Sequence, residues 1–205
     1  MMKLGSLMIV LVLLTHALIT DGTCVKKLDI VVVLDDSTSE GIDGFHSIKE
    51  FVIGLMRDME VGPDKTSVCL ILVHLNPTVE FNFKNYSSKL ELEMAVSELI
   101  YSKGATGIKD SLKKAAAELF NPQAGARPEA TKFLIVFSDG DFIPFSLDDW
   151  IRGINVLAVG SGQTIYEDSL KKLVKQPIKD FFTTNENTPK NVTARIRELA
   201  ERKCA

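Results

Sequence analysis

The sequence predicts an α/β fold: an open, mostly parallel six-stranded sheet with one antiparallel edge strand and helices on both faces. Three observations carry this expectation. Leu28–Asp35 and Thr131–Phe137 are continuously apolar rather than alternating, as parallel strands covered on both faces must be. Between such runs the apolar residues return at helical spacing, as in Phe45, Ile48, Val52, Leu55, Met56 and Met59. One short segment, Thr78–Phe83, instead alternates Val79, Phe81 and Phe83 with polar residues directly after Asn76-Pro77, the pattern of an antiparallel edge strand.

In chain order, Lys3, the apolar run Leu7–Leu14 and the small and polar residues Thr15–Thr23 read as a secretory signal peptide over residues 1–22. The apolar run is too short to span a bilayer, and no later run is long enough. A single domain is expected over residues 23–205, about 180 residues, enough for a full core. Strand Leu28–Asp35 is followed by the Phe45–Met59 helix, strand Thr66–Leu75 and the edge strand Thr78–Phe83. Leu92, Val96 and Leu99 mark one helix; Ile108, Leu112, Ala115, Ala116 and Leu119 mark another. Strand Thr131–Phe137, a short helix over Leu147–Arg152 and strand Asn155–Val159 come next. Helix Tyr166–Val174, strand Lys179–Thr183 and helix Asn191–Arg202 complete the reading. In an open sheet built this way, ligands bind beyond the carboxyl ends of the strands, where strand order reverses.

The net charge is −3 with both signs interspersed and no basic block, which argues against nucleic acid and membrane insertion. Of the three cysteines, Cys69 lies inside an apolar strand and is expected to be a free, buried hydrophobe. Cys24 and Cys204 flank the domain and are expected to pair in an oxidising compartment, since the last helix should return to the foot of the sheet. Closing so long a loop is worth at most roughly 5 kcal/mol by chain entropy. Asn85-Tyr86-Ser87 and Asn191-Val192-Thr193 are glycosylation sequons.

The candidate chemistry lies at two strand ends and one turn. Asp35, Ser37 and Ser39 close the first strand, and alternate hydroxyls on an extended turn can point at one centre. Gly104-Ala105-Thr106-Gly107 precedes a helix and offers a third hydroxyl, and Ser138-Asp139-Gly140 ends another buried strand. Oxygen-only donors suit a hard divalent cation. Together, D-x-S-x-S, the Thr turn and S-D-G resemble the metal-ion-dependent adhesion site of von Willebrand factor type A domains, including integrin inserted domains, matrilins and collagen VI. The resemblance covers essentially the whole of Cys24–Cys204 and implies a Rossmann-like sheet. It implies a site for Mg²⁺, or Mn²⁺ or Ca²⁺, at which Ser37 and Ser39 coordinate directly. Asp35 and Asp139 act mostly through water, and Thr106 joins directly or through water. A partner's Glu or Asp would complete the shell.

Some residues depart from the family pattern. Asp36 stands where the family usually has Gly, and Glu40, Asp141, Asp148 and Asp149 add acidity to the upper face. These could tighten cation binding, favour Ca²⁺ or repel acidic ligands, or be solvated loop charge. The segment Gly140–Gly153 is too short for the extra helix of collagen-binding integrin domains. Asp36, Asp141, Phe142, Ile143 and Phe145 are expected on the ligand face, with Phe142 or Phe145 plugging the core as the competing arrangement. The expected function is a secreted adhesion or recognition module whose partner is an extracellular or matrix protein presenting an acidic residue. The competing expectation is a matrix or mineral-associated scaffold, self-associating, with a calcium-loaded or idle metal site. An enzyme is not expected, because a catalytic metal needs a general base near its water and the three loops carry no His or Lys.

Overall fold

The computed structural model describes residues 27–73, 76–104, 107–147, 149–185 and 187–201. Strands β1 (Leu28–Asp35), β2 (Thr66–Val73), β3 (Thr78–Phe81), β4 (Thr131–Ser138), β5 (Ile154–Gly160) and β6 (Phe181–Thr183) form one sheet in the order β3-β2-β1-β4-β5-β6. Only the β2–β3 pair is antiparallel; every other neighbouring pair is parallel. The chain builds outward from β1 to β2 and β3, then crosses back to add β4, β5 and β6 on the other side. Strand order therefore reverses between β1 and β4, and open α/β sheets bind ligands beyond the carboxyl ends of the strands at such a position. Asp35 ends β1, and Ser138 ends β4 immediately before Asp139.

The helices are α1 (Gly41–Arg57), α2 (Lys89–Ser97), α3 (Ile108–Lys114), α4 (Glu167–Lys171), α5 (Pro177–Asp180) and α6 (Thr188–Glu201). Side chains of β1 alternate between two cores. Ile30, Val32 and Leu34 pack with Phe45, Ile48 and Val52 of α1, Leu92 and Val96 of α2 and Val192 and Ile196 of α6. Val31 and Val33 face the other way, onto Ile108 and Leu112 of α3 and Leu170 of α4. Burial on both faces is why β1 reads as an unbroken apolar run. Helix α2 starts at a capping box: Ser88 Oγ accepts the Glu91 amide at 3.3 Å and Glu91 Oε2 accepts the Ser88 amide at 3.0 Å.

Several elements differ from the sequence reading: the helix expected over Tyr166–Val174 is only Glu167–Lys171, and the edge strand expected over Thr78–Phe83 is only Thr78–Phe81. No helix forms at residues 147 and 149–152, which make turns closed by Trp150 N–H to Leu147 O and Ile154 N–H to Ile151 O. Leu147 and Ile151 are buried, so their apolar spacing anchors a loop to the core rather than marking a helical face. The strand expected over Lys179–Thr183 is only Phe181–Thr183, because Pro177–Asp180 takes one helical turn first. Proline at the first helical position sets that turn. The helix through Leu119 is α3 followed by a wider π turn, Ala115–Leu119.

Cys69 is a free thiol in the middle of β2, fully buried, and burial pushes its pKa up to about 12. It is expected to resist alkylation at pH 8 in the native protein and to react at the rate of a free thiol once urea unfolds the chain. Rapid labelling without denaturant would contradict this placement. Cys24 and Cys204 lie outside the described residues.

Candidate metal centre

The first loop is shaped by Asp35. Its Oδ1 accepts the Ser37 amide at 3.0 Å, drawing residues 35–37 into a tight turn, and its Oδ2 accepts the Ser138 hydroxyl at 2.8 Å. The second bond ties the end of β1 to the end of β4. The turn brings Ser37 Oγ and Ser39 Oγ to 3.0 Å from one another. Asp35 and Ser37 are buried, whereas Thr38 and Ser39 are exposed, so the paired hydroxyls sit at an opening to solvent.

Residues 101–104 form a strap over this turn. Tyr101 donates its hydroxyl to Ser37 O at 3.0 Å, and Ser37 makes a parallel bridge with Gly104. The bridge places Gly104 beside Ser37; Ala105 and Thr106 lie outside the described residues. On the third loop, Asp139 Oδ1 accepts the Asp141 amide at 2.9 Å and Ser138 Oγ accepts the Gly140 amide at 3.1 Å.

Asp35, Asp139 and Glu40 each place a carboxylate oxygen within 4.8 Å of the other two, and all three residues are buried. Burial raises the Asp35 pKa, against the pull of its Ser138 and Ser37 hydrogen bonds. Burial pushes the Glu40 carboxyl up to about 7, against its Ser161 hydrogen bond, with the Asp35 and Asp139 charges adding to the rise. Among the described residues, no ion pair reaches any of the three. Buried carboxylates are stable only when neutralised, paired or coordinated to metal. An all-oxygen donor set with surplus negative charge fits a hard divalent cation.

Two acidic residues lie elsewhere than the sequence reading put them. Asp36 was expected on the ligand face, but it is fully buried under the strap, where Oδ2 accepts the Ser102 hydroxyl at 2.6 Å and the Ser102 amide at 3.2 Å. Glu40 was grouped with the acidic upper face, yet it lies inside the carboxylate cluster at 2% exposure. The signal was its register: positions 40, 44 and 48 follow the buried stripe of α1, in which Ile48 is fully buried.

Of the other expected face residues, Asp141 is exposed and Ile143 is 90% exposed. Phe142 and Phe145 are half-buried against the α3–α4 core. Their rings lie 5.7 Å apart, Phe145 is 6.0 Å from the Trp150 ring, and Lys109 Nζ is 5.6 Å from the Phe145 centroid. Phe145→Ser is expected to lower stability by about 1–3 kcal/mol through the lost packing while leaving cation binding intact. Thermal melting and calorimetry check both halves; an unchanged melt would make Phe145 a surface residue. Asn85 and Asn191 are both exposed, and Asp148 lies outside the described residues.

Comparison with known proteins agrees with this architecture. The family model for the von Willebrand factor type A domain matches residues 29–195, and the chain belongs to that family. Among its relatives, Matrilin-2 of Mus musculus is 31% identical over 182 residues, covering 83% of this chain and 19% of Matrilin-2. The chain thus spans about a fifth of that relative's length. Two solved structures share the fold. Proximal thread matrix protein 1 from the mussel byssus, with a zinc-occupied MIDAS motif, has a TM-score of 0.70 at 20% identity, over 88% of this chain and 49% of that one. The manganese-loaded TRAP protein of Plasmodium vivax has a TM-score of 0.69 at 19% identity, over 84% of this chain and 73% of that one.

Proposed function

We propose that this chain is a secreted adhesion or recognition module that binds an extracellular protein through a divalent cation bridging to a partner's carboxylate. The observation that carries this reading is the convergence of Ser37 Oγ and Ser39 Oγ, 3.0 Å apart, beside buried Asp35 and Asp139 where strand order reverses. Asp35, Ser37, Ser39 and Asp139, with Thr106 from the adjoining turn, would hold the ion. Mg²⁺ is the first candidate, with Mn²⁺ and Ca²⁺ suited to the same oxygens. The bound cation supplies an electrophilic centre that accepts a Glu or Asp oxygen from the partner. Exposed Ser39 leaves that centre open to a partner, while hydrogen bonds from Ser37 and Ser138 hold Asp35 in one rotamer. Exposed Asp141 and Ile143 stand beside the opening as contact residues. Family membership, a matrilin relative and metal-loaded neighbours of the same fold support an extracellular, metal-dependent role. Binding rather than hydrolysis is proposed, because none of the residues that would hold the ion is a His or Lys able to serve as general base.

Calorimetry of chelated protein titrated with Mg²⁺ and Mn²⁺ is expected to show saturable one-site binding that Asp139→Ala abolishes. Capture of proteins from extracellular fluid on the immobilised domain is expected in Mg²⁺ and not in EDTA. Cation binding that survives Asp139→Ala would refute the site, and capture that persists in EDTA would refute the bridging role.

A further inference from the structure

We infer that Glu40 is a third carboxylate ligand of the metal centre, one that strengthens divalent-cation binding and favours Ca²⁺ over Mg²⁺. The inference rests on the metal-site reading above. Glu40 is 2% exposed, and its two oxygens have different fates. Oε1 accepts the Ser161 hydroxyl at 2.7 Å, which fixes the carboxylate. Oε2 is buried and has no partner in good hydrogen-bond geometry, the Asp139 amide being the backbone donor near this carboxylate. A carboxylate serving only to receive Ser161 would need one oxygen and would leave the other stranded at a cost in stability. The same group has an oxygen within 4.8 Å of oxygens from Asp35 and Asp139, the placement of a ligand awaiting its ion.

The backbone makes room for this carboxylate. A Cβ on either Gly44 or Gly162 would lie 3.1 Å from Glu40 Oε2, and on Gly162 it would also lie 3.3 Å from Asp139 Cβ. Gly162 adopts φ +89°, a conformation that L side chains rarely take. Two glycines, Gly44 in the first turn of α1 and Gly162 in the loop after β5, thus flank one buried acid, beside the serine that orients it.

Charge and size give the chemical consequence. Asp35 and Asp139 together neutralise a divalent ion; adding Glu40 leaves the site at a formal −1. Extra anionic oxygen raises affinity for any divalent cation and lowers the attraction of the ion for a further carboxylate from outside. Ca²⁺ accepts six to eight oxygens in irregular geometry, whereas Mg²⁺ demands a near-octahedral shell and retains several waters. Three protein carboxylates and two hydroxyls would leave a bound ion fewer positions for water, with the side at exposed Ser39 still open to a partner.

The test compares wild type, Glu40→Gln and Glu40→Leu by calorimetry with Ca²⁺ and with Mg²⁺, and by melting in EDTA and in Ca²⁺. Wild type is expected to bind Ca²⁺ at least about tenfold more tightly than Glu40→Gln, with the preference for Ca²⁺ over Mg²⁺ collapsing in the variant. In EDTA, Glu40→Leu should melt at or above wild type, since an uncompensated buried acid is gone; in Ca²⁺ its gain in melting temperature should shrink. A purely structural Glu40 would instead lower the melting temperature equally with and without Ca²⁺. Unchanged Ca²⁺ affinity and preference in Glu40→Gln, with binding still lost in Asp139→Ala, would overturn the role of Glu40 and leave the site standing. Absence of cation binding in wild type would overturn both. Should Glu40→Leu fail to fold, the isosteric Glu40→Gln series decides alone.

Discussion

Arg127→Ala is expected to destabilise the domain by about 3–5 kcal/mol, the cost of stranding a buried charge. The stranded group is Asp29, near the start of β1 and completely buried. Arg127 grips it with Nε at 2.9 Å and Nη2 at 2.7 Å on Oδ1, while its own amide donates to Oδ2 at 2.6 Å. Nη1 donates to Pro63 O, and Nη2 shares its second hydrogen between Leu28 O at 2.8 Å and Lys65 O at 2.9 Å. One side chain therefore clamps the amino ends of β1 and β2 to the loop entering β4. Lysine cannot reproduce this planar fork, so Arg127→Lys should recover little. Urea denaturation of the chelated protein measures the effect. Asp29→Leu/Arg127→Leu together should cost less than Arg127→Ala alone, because no unpaired charge remains. A loss below about 1 kcal/mol for Arg127→Ala would mean that water or a neighbour replaces the guanidinium.

Gly140→Val is expected to cost about 3 kcal/mol or more and to abolish cation binding in the same variant. Gly140 has φ +82°, where a β-branched residue is strained. A Cβ there would also sit 2.5 Å from the Tyr166 carbonyl oxygen and 3.1 Å from Leu170 Cγ. The first obstacle is backbone, held in place because the Tyr166 amide donates to Asp139 O at 2.7 Å. The chain must therefore move at Asp139 itself, which takes a metal-site carboxylate out of position. Melting and calorimetry on one preparation test both effects. Stability within 1 kcal/mol of wild type, with binding retained, would show that the loop relaxes freely.

The proximity of Ser37 to Ser39 and of Asp35 to Asp139 was legible in the sequence. Asp35 and Asp139 stand at the ends of apolar runs, and Ser37 and Ser39 are two apart on one turn, so their convergence follows from local geometry once those runs are strands. Glu40 and Asp36 were read less well. Each lies one residue from a site residue, and only the surrounding strap and helix decide that both face inward. The residues expected to supply an apolar ligand face divide in the same way: Ile143 stays exposed, while Phe142 and Phe145 find Trp150 and the α3–α4 core.

The sequence by itself determined the alternation of strands and helices, the single antiparallel edge strand and the oxygen-rich strand ends, because these depend on periods of two and 3.6 residues and on motifs a few residues long. Tertiary structure alone decided the strand order that makes β1 and β4 neighbours, the Asp29–Arg127 clamp 98 residues apart in sequence, and the place of Glu40 among the carboxylates. These depend on which elements meet, and hydrophobic pattern specifies that an element is covered without specifying by what. The apolar run of β1 would read the same beside any neighbours; only its pairing with β4 brings Ser138 onto Asp35 and draws the centre together.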